Sequence, residues 1–155
     1  MNADARVMEF FPSVLNRQES DALVARACEH FARHGFGPWA VELKYGGAFV
    51  GFIGLMVPRF EAHFTPCVEI GWRLGFEYWG RGLATEGARS VLDYGLGELG
   101  LGEIVSFTSE RNLRSRLVME RLGMTYDAAD DFDHPGLPEG SPLRRHVLYR
   151  IARGL

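Results

Sequence analysis

Glu69-Ile70-Gly71-Trp72-Arg73-Leu74 and, three residues on, Tyr78-Trp79-Gly80-Arg81-Gly82-Leu83-Ala84-Thr85-Glu86 join a strand to a helix through a glycine turn. Val68, Ile70, Trp72 and Leu74 alternate with Glu69, Gly71 and Arg73, the period of a strand whose two faces have different uses. Ala84, Ala88, Val91, Leu92, Leu96 and Leu99 then recur at helical spacing, with Gly95 and Gly97 weakening the last turns. In the turn itself, Gly80 and Gly82 free backbone N–H groups and remove side chains that would block a ligand. The helix start adds partial positive charge, so the turn suits a phosphate or pyrophosphate. Two other glycine-rich phosphate loops do not fit. The Gly-Lys-Ser/Thr ending of a P-loop is absent, and Thr85 stands where the dinucleotide fingerprint needs glycine or alanine. Gly82 and Ala84 do fit the second half of a six-residue pattern: Gln or Arg, two residues, Gly, one residue, Gly or Ala.

Working outward, Arg17 to His34 predicts a helix, with Leu23, Val24, Ala27, Cys28 and Phe31 as one buried stripe. Asn16 and Glu19 form a capping-box pair, and Gly35 stands at the C-cap. Trp39 to Leu43 and Ala48 to Val57, joined by Lys44-Tyr45-Gly46-Gly47, read as a β-hairpin. Beyond the turn and second helix come a strand at Glu103 to Thr108 and a helix from Asn112 to Leu122 stopped by Gly123. Two more strands follow, at Met124 to Tyr126 and His146 to Ile151, separated by an acidic Pro- and Gly-rich loop. Strands alternating with helices imply a mixed α/β sheet with at least one parallel pair and helices packed on it.

The chain has 155 residues, 46% hydrophobic, 12% aromatic and 24% charged, enough for one domain spanning 1–155 with a real core. A formal net charge of -3 gives no global basic field, which argues against nucleic acid as the main ligand. Cys28 and Cys67 make neither a disulfide framework nor a metal-ligand spacing, and no metal is expected. Cys28, on the helical stripe, is expected to be a buried thiol. The apolar run Ala48 to Val57 is too short to span a bilayer, and Asp4, Arg6 and Glu9 interrupt any signal sequence. The expected location is the cytoplasm, with no membrane partner.

Glu69 to Leu74 and Tyr78 to Glu86, with Asn112-Leu113-Arg114-Ser115 and Met119-Glu120-Arg121-Leu122-Gly123-Met124, resemble the cofactor motifs of the GNAT superfamily of N-acetyltransferases. The closer likeness is to the branch that acetylates ribosomal-protein N-termini. It covers Val68 to Tyr126 well and extends more weakly to Ile151. The resemblance implies a mostly antiparallel sheet with one splayed parallel strand pair, and acetyl-CoA as co-substrate. The backbone of Trp72, Arg73 and Leu74 would pair with the pantetheine arm as an added strand. The turn Trp79-Gly80-Arg81-Gly82-Leu83-Ala84-Thr85 would hold the pyrophosphate, Asn112 would hydrogen-bond the pantetheine, and Ser115 would lie near the sulfur.

Three departures from the family pattern matter. Trp79 replaces the motif's Gln or Arg. Met119 stands where many members carry a tyrosine that protonates the thiolate, which leaves Ser115 as the proton donor. The strand and helix that usually open the family have little room before Val7 to Phe11, so either the first strand is missing or another segment replaces it, and an open sheet edge is expected. The expected state is then monomer or homodimer.

Several residues have plainer readings beside the functional ones. Glu69, the candidate general base, also fits a solvated strand position, and Asn112 is also an ordinary helix N-cap. His30 and His34 are four apart, but Phe31 stands where a zinc protease needs Glu, and His146 reads as structural. Trp72 and Trp79 are packing residues as often as ligand contacts. Asp127, Asp130, Asp131 and Asp133 suggest an acidic loop that would steer cationic amines. The acceptor class is a primary amine, either a peptide N-terminus or a small amine. The alternative is a non-catalytic acyl-CoA binding or sensing domain.

Overall fold

The computed structural model describes residues 1–154. Helix α1 (Arg17–His34) leads into β1 (Pro38–Glu42), β2 (Phe49–Met56) and β3 (Glu69–Leu74). Helix α2 (Leu83–Asp93), β4 (Glu103–Ser109) and α3 (Leu113–Arg121) follow, then β5 (Thr125–Tyr126), β6 (Phe132–Asp133) and β7 (Arg145–Ala152). The strands form one sheet in the order β1-β2-β3-β4-β7-β5, with β6 also on β7. Every pairing is antiparallel except β3 with β4. The two-residue β6 lies in the acidic loop, where Pro and Gly punctuation conceals so short a strand from sequence patterning.

Alternation divides the sheet into two faces. Ile53, Leu55, Ile70, Leu74, Ile104, Val147 and Tyr149 pack with Ala88 and Leu92 of α2 and Met119 of α3. A smaller cluster of Phe64, Val105, Phe132 and Leu148, with Phe60 and Phe107 against it, covers part of the other face. Helix α2 does not simply weaken at Gly95. It continues as a π-helical turn, Tyr94–Glu98, in which Gly95 lies on the sheet. A Cβ at Gly95 would come within 2.7 Å of Ile104 Cδ1.

Helix α1 begins and ends as its caps dictate, with the Asn16–Glu19 capping box formed and Gly35 left-handed at its C-cap. Its stripe, however, is not buried. No residue of α1 is buried, Val24 is 60% exposed, and Cys28 is an exposed free thiol. The helix borders a cleft, and the stripe lines it, with Phe31 packed edge-on against Trp39. His30 ties it down. Its Nδ1 lies 2.7 Å from the Phe36 carbonyl, and its Nε2 accepts the Val57 N–H at 2.9 Å. These partners fix the neutral tautomer with the proton on Nδ1.

None of residues 1–37 is in a strand, and β1 forms one edge of the sheet. The described helices include none long and apolar enough to cross a membrane.

The β1–β2 approach is tight where Gly54 faces Pro38, since a Cβ on Gly54 would lie 2.1 Å from the Gly37 carbonyl oxygen and 2.4 Å from Pro38 Cα. Backbone atoms cannot yield as a side chain can. Gly54→Ala should therefore lose on the order of 2 kcal/mol of stability or more in urea unfolding. Gly97→Ala, with open space at its Cβ, should change it by less than about 1 kcal/mol and in the stabilising direction. Equal unfolding midpoints for the two variants would contradict this packing.

Candidate active site

The site begins where β3 and β4 part. Their register holds at a single pair, Glu69 opposite Val105, with the Val105 N–H donating to the Val68 carbonyl at 2.9 Å. One step further the bond to β3 comes from a side chain. The buried Ser106 hydroxyl donates to the Ile70 carbonyl at 2.9 Å. Val68 and Ile70 thus turn their carbonyls toward β4, and strand alternation puts the backbone of Trp72 and Leu74 on the same edge. Leu74 O is taken by the Trp79 indole N–H at 2.9 Å. The Trp72 N–H and C=O and the Leu74 N–H are left facing the gap.

The turn after β3 has the conformation its glycines predict. Gly80 and Gly82 have φ of 71° and 78°, values that side chains disfavour. The first bond of α2 runs from Glu86 N–H to Gly82 O at 3.0 Å, and no side chain caps the helix. The N–H groups of Leu83, Ala84 and Thr85 therefore have no intrahelical partner. Together the strand gap and this turn open into a cleft of about 1320 Å³. Glu69, Trp72, Arg73, Leu74, Trp79, Gly80, Gly82, Leu83, Ala84, Thr85, Asn112 and Ser115 all line it. Arg81 alone of the sequence-predicted residues does not. It is exposed, with its guanidinium 5.8 Å from the Tyr78 ring centre.

Across the gap, Asn112 caps α3 and holds Ser115. The Asn112 Nδ2 donates both to Ser115 Oγ and to Thr108 Oγ1 at 3.0 Å, and its Oδ1 accepts the Ser115 N–H at 3.2 Å. With both amide hydrogens used, only a lone pair of Oδ1 remains for a ligand. Because Ser115 Oγ accepts from Asn112, its own hydrogen is free to be donated into the cleft. Met119, at the position where the family often has a tyrosine, is 1% exposed core.

Glu69 sits at the point of the splay, between Met56 of β2 and Val105 of β4. Its carboxylate has no hydrogen-bond partner among the described residues, and burial pushes its carboxyl up to about 8. The residue keeps some exposed surface, and it lines the cleft, so crowding and access coexist.

On the same side lies an aromatic wall that the sequence did not announce. His134 and His146 have ring centres 5.0 Å apart, Phe107 lies against both, and burial pushes His146 down to about 4. His134 could have been found only through β6, the strand the periodicity missed. The four loop aspartates have other partners. Asp130 binds Arg150 at 2.7 Å, Asp133 faces Arg144 and Arg145 at 3.5 Å, Asp131 accepts from Tyr126, and Asp127 caps Ala129. None lines the cleft, although His134, Gly136 and Leu137 of the same loop do.

The comparisons agree with this architecture. The chain belongs to the acetyltransferase (GNAT) domain family, whose model matches residues 1–125. An Aspergillus fumigatus protein named FsC-acetyl coenzyme A-N(2)-transacetylase is 37% identical over 127 residues, 77% of this chain and 51% of the relative. The chain thus spans about half the length of that relative. A GNAT-family acetyltransferase structure from Bacillus anthracis has a TM-score of 0.78 at 26% identity, covering 98% of this chain and 84% of that one. A spermidine N-acetyltransferase from Vibrio cholerae shares the fold, with a TM-score of 0.66 at 17% identity over 86% of this chain and 75% of that one.

The raised Glu69 pKa has a stability signature. From the ordinary value of 4.5 to about 8, the folded chain keeps a proton that the unfolded chain has released. The folded state binds more protons in that window, so this group makes stability fall as pH rises through it. Glu69→Gln removes that fall, and the variant should gain on wild type between pH 5 and pH 8 in urea unfolding. A pH-independent difference between the two proteins would contradict the assignment.

Proposed function

We propose that this chain transfers the acetyl group of acetyl-CoA to a primary amine, by direct attack within a ternary complex. The observation that carries the reading is the Ser115 hydroxyl. Asn112 holds it as an acceptor so that its proton points to whatever occupies the cleft shared with Glu69. The free strand edge and the uncapped α2 start offer the two kinds of main-chain donor that a pantetheine arm and a pyrophosphate need. The fungal relative's name, with its acetyl coenzyme A donor, supports the same choice of donor.

An ammonium has no lone pair, so the acceptor must lose a proton before or during attack. Glu69 takes that proton, directly or through a water, once its own carboxyl is ionised. The Trp72 and Leu74 N–H groups on the gap edge are the donors available to the thioester oxygen. Ser115 donates its proton to the departing thiolate, which Met119 cannot do. The acceptor is a peptide N-terminus, as the likeness to the ribosomal-protein branch suggests, or a small amine. The open β1 edge leaves monomer and homodimer both open to the chain. A sensing domain that only binds acyl-CoA would have no use for a held hydroxyl and a raised carboxyl facing one cleft, and release of free thiol with an amine present separates the two readings.

Turnover should rise with pH through about 8 as Glu69 ionises. Glu69→Gln should lower it by roughly 10²–10⁴-fold near pH 8 and recover at higher pH, where the amine deprotonates unaided. Ser115→Ala should lower turnover while acetyl-CoA affinity stays nearly intact. Steady-state rates across pH, with calorimetric acetyl-CoA binding, check both. Near-wild-type turnover in the two variants would reject the assignment.

A further inference from the structure

The cleft has a charge character opposite to that of the whole chain. The protein's net charge is -3, yet the charged groups lining the cleft are Arg6, Arg26, Arg59, Arg73, Arg114 and Arg121 against one carboxylate, Glu69. Arg6, Arg59 and Arg114 have acidic partners in Asp4, Glu29 and Glu9. Arg73 has none among the described residues. Its guanidinium lies 4.0 Å from the Phe11 ring centre and 5.3 Å from that of Phe52, and Nη1 donates to Asn2 Oδ1 at 3.1 Å. Nε is buried with no partner. Nη2 is not enclosed in this way and has no protein acceptor among the described residues.

A guanidinium does not shed its proton in this range, and the two rings attract the charge without accepting a hydrogen bond. A crowded cation with unused donors is costly unless an anion reaches it. Nε is enclosed, so Nη2 is the donor that a carboxylate entering the cleft can reach, in a charge-assisted hydrogen bond. Arg73 also stands on the same strand face as Glu69, four residues away, so their Cα atoms are about 13 Å apart. Between them lies Gly71, where a Cβ would meet Met56 Cε at 2.9 Å. The floor from base to cation is therefore a methionine methyl over bare backbone, apolar and without competing donors.

We propose that Arg73 is the anion-recognising residue for the acceptor, and that the acceptor is a primary amine carrying a carboxylate across a short hydrocarbon spacer. The amine meets Glu69, the spacer crosses Met56, and the carboxylate meets Arg73. This rests on the transfer reading above and deepens it. The same cleft charge opposes polycationic acceptors.

The test compares 6-aminohexanoate, its carboxamide and 1,5-diaminopentane as acceptors for wild type, Arg73→Gln and Arg73→Lys. Wild type should prefer the carboxylate to the amide by about 10- to 100-fold in kcat/KM, the range of a hydrogen-bonded charge, with the diamine poorest. Arg73→Gln should bring the carboxylate-to-amide ratio near one, and Arg73→Lys should restore part of it, which a merely structural loss would not do. A second readout needs no chemistry: 6-aminohexanoate, but not the amide, should raise the Tm of the CoA-bound wild type. Turnover without a carboxylate preference overturns this inference and leaves the transfer reading standing. The Tm shift without turnover overturns the transfer reading and leaves the anion site. A loss of acetyl-CoA affinity in Arg73→Gln that accounts for its whole defect assigns Arg73 to a cofactor phosphate and overturns the proposal.

Discussion

The hydrogen bond from the Ser106 hydroxyl to the Ile70 carbonyl is where two parallel strands cease to be a sheet. A carbonyl that deep must have a partner, and a backbone partner would have kept β4 alongside β3. A serine side chain meets the requirement while letting the strands diverge. Everything beyond it depends on that divergence. The Trp72 and Leu74 main chain has no neighbour strand, Glu69 sits at the closed end, and α3 delivers Ser115 from the far side. Antiparallel pairing on the outer flanks, β2 with β3 and β4 with β7, keeps the opening from propagating into the rest of the sheet.

The N-terminal segment completes the walls. Glu9 pairs with Arg114, whose guanidinium also lies 4.7 Å from the Trp79 ring centre, and Arg6 lies 3.8 Å from that of Phe76. Asn2 reaches Arg73 on the opposite side of the same segment. Residues ahead of α1 thus bind the turn after β3, the start of α3 and the face of β3 at once. Exposed pairs of this kind contribute little singly, and their effect here is to place aromatic and polar groups around one opening.

The elements around the cleft were legible because local rules write them. The alternation of Val68 to Leu74, the two glycines, the Asn112 cap and the helical spacing after Gly82 each act within a few residues. What escaped was tertiary. The stripe on α1 has a buried residue's composition, but the helix borders a cleft, so Phe31 packs on Trp39 while Val24 and Cys28 stay exposed. The loop aspartates read as a field, yet arginines from β7 and its approach take up Asp130 and Asp133, partners tens of positions away or across a turn. Arg73 was read through its backbone. Its side chain, with no acid beside it, is visible only once β2 and the N-terminal segment are in place.

The central claim is that the freed edge of β3 receives the acetyl donor as an added strand. Amide hydrogen exchange, followed residue by residue with and without acetyl-CoA, addresses it directly. The account predicts marked slowing at Trp72 and Leu74, together with Leu83, Ala84 and Thr85, while Gly71 and Arg73, already turned toward β2, change little. Protection confined to other parts of the sheet, with Trp72 and Leu74 exchanging as fast as in the free protein, would contradict it.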